Sequence, residues 1–242
     1  MALASANFHT DRLYGGMCNQ FNLAYSLEEA PIFGRGSSLF ASPCRGLLAT
    51  GHQQTMRITG GKAKGRILAS LKGTRIRPTS DRVREAIFSL IGQDTTGLHV
   101  LDLFAGTGCL GIEAISRGAI EALFVDNSSQ SIRLIEKNLA LCGFESVGSV
   151  LKKDLIKGFL GTNPSMKGKF DLVFMDPPYR KKIIPQLLTE LSVRNTLSSS
   201  AIVVAETSKT DTMSCTLGKL YLDKSKTYGQ TRISIYRYGE EI

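Results

Sequence analysis

Along residues 99–236, short apolar runs alternate with longer segments in which apolar side chains recur at helical spacing. A short apolar run between turn residues is typical of a buried strand, and a repeat of about three to four residues is typical of a helix with one buried face. The predicted strands, in chain order, are His99–Phe104, Ala122–Val125, Val147–Leu151, Phe170–Met175, Ala201–Ala205, Leu220–Leu222 and Arg232–Tyr236, the last two as a closing antiparallel pair. The predicted helices run from about Gly108 to Arg117, from Ser128 or Ser129 to Gly143, and from Ile183 to Leu191. Apolar strands that alternate with helices predict an α/β fold, in which helices cover both faces of a mostly parallel, seven-stranded sheet.

The segment that precedes this alternation has a different pattern. Two strand-like runs, Arg57–Thr59 and Arg66–Ala69, are separated by glycines and predict a small β-hairpin. The sequence Pro-Thr-Ser-Asp at 78–81 then supplies capping residues for a helix that ends near Gly92. The apolar residues of this helix share one face and are Val83, Ile87, Leu90 and Ile91.

Residues 1–55 show no sustained helical or strand periodicity. They are rich in serine and alanine and poor in acids, as a targeting peptide is, but they contain only three arginines. A misplaced start codon explains the segment equally well. We therefore expect an extension over residues 1–55 that is poorly ordered, targeting or mis-started, a basic hairpin segment over 56–80, and the main domain over 81–242. We expect a cytoplasmic protein, or an organellar one if the extension is a transit peptide.

The composition excludes several classes of protein. With 42% hydrophobic and 21% charged residues, the chain is too apolar to be disordered. No apolar stretch approaches the roughly 20 residues of a membrane-spanning helix, so we expect no membrane partner. Five widely spaced cysteines without a C-x-x-C pair indicate a reducing compartment rather than a disulfide scaffold or a zinc site. Three scattered histidines give no metal site either, and we expect no metal requirement.

The positive charge is concentrated in one segment. Residues 56–84 hold nine basic residues and one acid, so they carry +8 of the net charge of +9. Such an excess is typical of a surface that binds phosphates, although it is also compatible with a solvated face of a basic protein. The candidate phosphate-binding residues are Arg57, Lys62, Lys64, Arg66, Lys72, Arg75, Arg77, Arg82 and Arg84.

A glycine-rich motif follows the first strand of the alternation. Residues 101–111 read LDLFAGTGCLG, with the glycines spaced G-x-G-x-x-G between a predicted strand and a predicted helix. Glycines allow a sharp turn close to a ligand, and the helix N-terminus offers free N–H groups. Asp126 ends the next strand, where its carboxylate can accept both hydroxyls of a ribose. The motif predicts a nucleoside cofactor, leaves NAD open as the alternative, and is also compatible with glycines that serve only helix–strand packing.

Two further acids narrow this choice. Asp102 lies on a buried strand, and a buried carboxylate is costly unless it has a partner. S-adenosylmethionine carries an ammonium and a sulfonium group and would be such a partner, whereas the carboxylate would repel a pyrophosphate. The simpler alternative is that Asp102 caps the N–H groups of the loop.

The sequence Asp-Pro-Pro-Tyr at 176–179 follows another strand and so falls at the same sheet edge. Its carboxylate and proline carbonyl can accept hydrogen bonds from an exocyclic amine, and Tyr179 can stack on a base. Together these features indicate an amino-methyltransferase.

The chain resembles the RsmD-type methyltransferases, which use S-adenosylmethionine to methylate guanine N2 in small-subunit (16S) ribosomal RNA. Four segments carry the resemblance, and they are MRITGGKAKGR (56–66), RPTSDRVREAIF (77–88), LDLFAGTGCLGIEAISRGA (101–119) and DLVFMDPPY (171–179). The resemblance covers residues 56–242 and implies a Rossmann-like S-adenosylmethionine methyltransferase fold. Where many members have an acid followed by Lys or Arg, this chain has Asp126 and Asn127.

The resemblance also implies roles for individual residues. The expected catalytic residues, which orient the guanine amine, are Asp176, Pro177, Pro178 and Tyr179. The expected cofactor-binding residues are Asp102, Phe104, Ala105, Gly106, Gly108, Asp126, Asn127, Asp154 and Leu155. Among them, Asp102 would lie near the ammonium group, Asp126 at the ribose and Asp154 at the adenine amine. The expected partner is ribosomal RNA, naked or within an assembling small subunit, and the protein is expected to be a monomer.

Two functions from other classes stay open on the sequence. An NAD(P)-dependent oxidoreductase would use the same glycines and Asp126, but it has no use for residues 176–179 and needs more chain for a substrate domain. A non-catalytic RNA-binding module would account for the basic segment and for none of the pocket. Binding of S-adenosylmethionine or of NAD separates these alternatives.

Overall fold

The computed structural model describes residues 56–70, 80–156, 170–177, 183–194 and 196–239. The chain divides into two units, Met1–Ala49 and Thr50–Ile242, and all of the described residues belong to the second. The helices are α1 (Asp81–Ile91), α2 (Cys109–Ser116), α3 (Ser129–Cys142) and α4 (Ile184–Val193). The strands are β1 (His99–Leu103), β2 (Glu121–Asp126), β3 (Gly148–Lys152), β4 (Phe170–Met175), β5 (Leu197–Ser208), β6 (Thr216–Leu217), β7 (Leu220–Tyr228) and β8 (Thr231–Tyr238).

The strands form one sheet in the order β3-β2-β1-β4-β5-β8-β7-β6. The first five are parallel to one another, and β8, β7 and β6 pair antiparallel. The mostly parallel α/β fold with an antiparallel C-terminal strand is therefore confirmed. Within the described residues the sheet has eight strands rather than seven, because the two-residue β6 is too short to leave a periodic signal. The chain order changes direction between β1 and β4, and α/β folds bind ligands at the carboxyl ends of strands beside such a point.

Alternate side chains of the central strands enter two separate hydrophobic clusters. On one face, Val100 of β1 and Phe124 of β2 pack with apolar residues of α1, α2 and α3. On the other face, Leu101 of β1 and Val173 of β4 pack with α4. This alternation places helices on both faces of the sheet, as the sequence predicts. No helix in the described ranges is long and apolar enough to cross a membrane.

The predicted hairpin before α1 is present and belongs to the core. Arg57 and Ile67 form an antiparallel bridge, and the Ile58 N–H donates to the Arg66 carbonyl at 2.9 Å. Met56, Ile58 and Leu68 are buried in the cluster that also contains α1, α2 and α3. The hairpin is therefore anchored by its apolar side chains, which leaves its basic side chains to the solvent.

The helix that follows it is also confirmed. The Ser80 hydroxyl accepts the Val83 N–H at 3.3 Å, and Asp81 lies in the first turn of α1. An oxygen acceptor at the N-cap and an acid in the first turn both stabilise a helix N-terminus. Gly92, with φ of 104°, ends the helix in a conformation that favours glycine.

Candidate active site

The carboxyl ends of neighbouring parallel strands bring the predicted loop and the predicted catalytic residues to one edge of the sheet. The Asp176 N–H, directly after β4, donates to the carbonyl of Leu103, the last residue of β1, at 3.5 Å. The Ala105 N–H donates to the carbonyl of Val125 in β2 at 3.1 Å. Residues from three strands that are distant in sequence therefore adjoin at the switch point of the sheet.

The glycine loop turns sharply between β1 and α2. Gly106 and Gly108 have φ of 57° and 76°, a region that side chains disfavour. Phe104 enters the same region with φ of 60°, which is uncommon for a bulky residue and is typical of strained backbone at ligand sites. At Gly111 the limit is space, because a Cβ there would lie 2.3 Å from the Phe124 ring. The third glycine thus serves close packing of α2 on the sheet, and the first two serve the turn.

Asp126 is held across the mouth of this loop. Its Oδ2 accepts the Gly106 N–H at 2.9 Å, and its Oδ1 accepts the Ser128 N–H at 2.8 Å. These bonds fix the orientation of the carboxylate and leave each oxygen able to accept one more hydrogen bond. The half-buried carboxylate at the end of β2 is thus oriented as an acceptor for a diol, next to the loop.

Asp102 is the buried acid of the site. Only 3% of the residue is exposed, and its Oδ2 accepts the Gly111 N–H at 2.9 Å. Burial raises the pKa of Asp102 from 3.8 to about 8. The nearby Asp126 charge also raises this pKa, whereas the hydrogen bond from Gly111 lowers it. Within the described part of the chain, no cationic side chain pairs with Asp102. Asp102 therefore caps the first turn of α2 and remains suited to a cation that enters the loop.

The other expected site residues lie around the same edge. Asp154 follows β3, and its Oδ1 accepts the Ile156 N–H at 3.0 Å in a local turn. Leu155 is buried and Asn127 is exposed beside Asp126. Ala105 is buried in the loop, Asp176 is half-buried, and Pro177 is buried. Pro178 and Tyr179 lie outside the described residues.

The candidate phosphate-binding residues separate into three groups. Arg57, Lys62, Lys64, Arg66 and Arg82 are exposed on the hairpin and at the start of α1. Lys72, Arg75 and Arg77 lie outside the described residues. The assignment of Arg84 is wrong, because its side chain is completely buried and pairs with Asp81 at 2.8 Å and with Glu113 at 3.2 Å.

Glu113 is the centre of the buried polar cluster that encloses Arg84. Its carboxylate accepts the Thr59 N–H and hydroxyl, each at 2.8 Å, and pairs with Arg117 at 2.8 Å. Sequence reasoning missed this cluster, although a single acid in the apolar helix CLGIEAIS was the available signal, because a buried acid needs partners. The cluster binds the hairpin to α1 and α2.

A family model and several curated proteins match most of this chain. The family model described as "Conserved hypothetical protein 95" matches residues 56–237. Bacillus subtilis YlbH is 36% identical over 182 residues, which are 75% of this chain and 98% of YlbH. The Haemophilus influenzae protein named "Ribosomal RNA small subunit methyltransferase D" is 33% identical over 184 residues, which are 75% of this chain and 93% of that protein.

Solved structures agree with these relatives. Escherichia coli yhhF matches with a TM-score of 0.67 and 29% identity, over 77% of this chain and 99% of yhhF. An RNA methyltransferase from Salinibacter ruber, solved with S-adenosyl-L-homocysteine, matches with a TM-score of 0.50 and 19% identity. The match covers 68% of this chain and 95% of the Salinibacter chain, and it supports the fold alone. The fold is thus that of the S-adenosylmethionine-dependent methyltransferases. Because the family model spans residues 56–237 and relatives align over nearly their full length, the chain belongs to the RsmD-type methyltransferase family.

Proposed function

We propose that this protein transfers a methyl group from S-adenosylmethionine to the exocyclic N2 of a guanine in small-subunit (16S) ribosomal RNA. The names of its relatives in Haemophilus influenzae and Escherichia coli support small-subunit ribosomal RNA as the substrate class. The resemblance of the loop and of residues 171–179 to the RsmD type supports guanine N2. The observation that carries the proposal is the contact between Asp176 and Leu103, since it brings the proposed amine-binding residues beside the glycine loop at 104–108, hereafter the cofactor loop.

The acids at the sheet edge fit S-adenosylmethionine better than a dinucleotide. Asp102 lies one residue before the end of β1, and Asp126, Asp154 and Asp176 end or follow β2, β3 and β4 at this edge. A pyrophosphate would be repelled by them, whereas S-adenosylmethionine has no phosphate and carries an ammonium and a sulfonium group. When bound, it supplies an electrophilic methyl group. Asp102 would pair with the ammonium, Asp126 would accept the ribose hydroxyls, and Asp154 would accept the adenine amine.

The residues after β4 would orient the target amine. The Asp176 carboxylate and the Pro177 carbonyl are acceptors for its N–H groups, and the proline pair restricts the backbone that carries them. The lone pair of the guanine amine is delocalised into the ring, so the rate would depend mainly on alignment with the methyl group. The amine becomes acidic as the bond forms, and a strong general base is not required. Stacking of the base on Tyr179 stays a prediction.

The target base must leave its stack to reach this edge, because a base paired in a helix is inaccessible. The five exposed cations of the hairpin and the start of α1 are suited to hold the phosphates around it. They would pair with phosphates of the RNA backbone and would not select the base. Selection of the base would come from residues 176–179.

The test is to follow a labelled methyl group from S-adenosylmethionine into RNA. Small-subunit RNA from a strain that lacks the enzyme, both naked and in assembling subunits, is incubated with the protein and digested to nucleosides. We expect the label in N2-methylguanosine. Label in another methylated nucleoside, or no transfer to either substrate, would contradict the proposal.

A pair of variants assigns the site. Asp176→Ala should abolish transfer and leave the affinity for S-adenosylmethionine within a few-fold of wild type, because its carboxylate is proposed to bind the amine and not the cofactor. Glu145→Ala, which removes an exposed acid between α3 and β3, should leave both unchanged. An equal loss of cofactor binding in Asp176→Ala would place this residue in the cofactor site instead.

A further inference from the structure

Asn138 of α3 links the hairpin directly to the cofactor loop. Its side chain is completely buried, and it lies outside every motif that the sequence analysis identified. The Oδ1 atom accepts the Ala69 N–H at 2.8 Å, and Nδ2 donates to the Ala69 carbonyl at 3.1 Å and to the Thr107 carbonyl at 2.9 Å. We propose that Asn138 is a positioning residue, which holds the cofactor loop in its binding conformation and at the same time fixes the end of the phosphate-binding hairpin.

The loop side of this link acts on a single peptide unit. Thr107 stands between the two glycines that turn the loop, and its carbonyl shares a peptide plane with the Gly108 N–H. That N–H donates to the Ala105 carbonyl at 2.7 Å. Asn138 therefore holds one side of the plane while the loop itself holds the other. Without the amide, the carbonyl loses a buried donor and the turn loses one of its two fixed points.

The hairpin side of the link uses both backbone groups of one residue. Ala69 directly follows Leu68, which is buried in the core, and the exposed Arg66 precedes both. An asparagine is suited to this junction because one amide supplies an acceptor and two donors. An aspartate would lack the donors, and an apolar residue would leave the Ala69 N–H, the Ala69 carbonyl and the Thr107 carbonyl without this partner. A further contact supports the junction, since the Thr107 hydroxyl lies 3.5 Å from Sδ of Met56 in the hairpin.

Ser116 of α2 provides a matched control. Its hydroxyl accepts the Ala63 N–H at 2.9 Å and donates to the Gly60 carbonyl at 2.6 Å. Ser116 thus holds the same hairpin by the same kind of buried side-chain bond. Among the described residues it has no hydrogen bond to the cofactor loop. Ser116→Ala therefore removes hydrogen bonds to the hairpin and leaves those of the cofactor loop in place.

The experiment compares Asn138→Ala with Ser116→Ala and rests on the proposed function, that is, S-adenosylmethionine at the loop and RNA at the hairpin. Affinity for S-adenosylmethionine is measured by calorimetry without RNA, well below the melting temperature of each variant. Asn138→Ala should raise this Kd about tenfold, in line with the loss of a buried hydrogen bond at the loop. Ser116→Ala should leave it within about twofold of wild type. Both variants should weaken binding of 16S ribosomal RNA in a filter-binding assay.

Each outcome has a defined meaning. A Kd for S-adenosylmethionine in Asn138→Ala that matches the Ser116→Ala value would overturn the inference, because a purely structural role lowers the melting temperature in both variants without separating their ligand affinities. Unchanged RNA binding in both variants would overturn its hairpin half. Failure of the wild-type protein to bind S-adenosylmethionine would instead contradict the proposed function. If Asn138→Ala does not fold, Asn138→Ser, which keeps a polar hydroxyl, is measured in its place, with the same outcomes.

Discussion

The buried carboxyl of Asp102 predicts that cofactor affinity depends on pH in a defined direction. Burial raises the pKa of Asp102 to about 8, so the neutral form predominates at pH 7 in the ligand-free protein. An ammonium group binds the ionised form better, and its binding therefore lowers this pKa and releases a proton. Affinity for S-adenosylmethionine should rise with pH until the pH reaches the pKa of the ligand-free protein.

The size of the effect follows from the ionised fraction of Asp102. With a pKa of about 8, the fraction falls roughly twentyfold between about pH 7.5 and about pH 6, and the affinity should fall by the same factor. The thiol of the neighbouring Cys109 does not contribute to this change in affinity, because burial raises its pKa above the ordinary value. The stability of the ligand-free protein depends on pH in the opposite direction. Because the pKa of Asp102 is higher in the folded state, its contribution to the free energy of unfolding becomes less favourable as the pH rises from 3.8 to about 8.

Calorimetry over this pH range in two buffers of different ionisation enthalpy measures both the affinity and the proton released. Asp102→Asn is the control, because its side-chain oxygen can still accept the Gly111 N–H while the site can no longer titrate. The variant should bind more weakly at about pH 7.5 and show no pH dependence of affinity in this range. A wild-type affinity that does not change with pH, or a variant with the wild-type slope, would refute the assignment of Asp102 to the ammonium group.

Four further predictions use other parts of the molecule. Asp126→Ala should weaken S-adenosylmethionine binding by about 1–3 kcal/mol in calorimetry, through the loss of charged hydrogen bonds to the ribose. Arg84→Ala should lower the free energy of unfolding by about 3 kcal/mol in urea titrations, because it removes one of the two cations that pair with the buried Glu113 and leaves only Arg117, whereas the exposed Arg82→Ala should not. Deletion of residues 1–55 should change neither melting temperature nor turnover, since the family model begins at residue 56. The plot of log RNA affinity against log salt should flatten by about 2 units when alanine replaces Lys62, Lys64 and Arg66.

The buried parts of the fold were predictable because burial leaves a pattern in the sequence. The bounds of β4 match the prediction, and those of β1 differ by one residue, since both strands are mainly apolar and buried. The strands at the antiparallel side were predicted too short. The residues that extend β5 and β7 beyond their predicted ends are mostly polar, and those of β7 are mostly exposed, so they continue no apolar run; in β5, Glu206 and Thr207 are buried although they are polar. A two-residue strand such as β6 has no period to detect.

Prediction of the candidate site was limited because the sequence does not show which polar side chains are buried or what they contact. Spacing located the glycine loop and Asp126, because these residues are close in sequence to the strands that position them. Charge counting placed Arg84 on the RNA surface, since a sum over residues carries no information on burial. A signal for Asn138 was present, because it shares the buried face of α3 with Leu134 and Ile135. A polar residue on an apolar face indicates a buried partner, but the sequence does not say which one.

The packing of the hairpin bears on how the proposed reaction gains its rate. Ile58 and Leu68 lie in the same cluster as Ile112 of α2, and α2 begins at the cofactor loop. The exposed cations of the hairpin are therefore carried by the core that also carries the loop. Phosphates held by these cations would lie at a fixed distance from the methyl group, without closure of a separate domain. Because the guanine amine is a weak nucleophile, this fixed geometry is the form of assistance that it needs most.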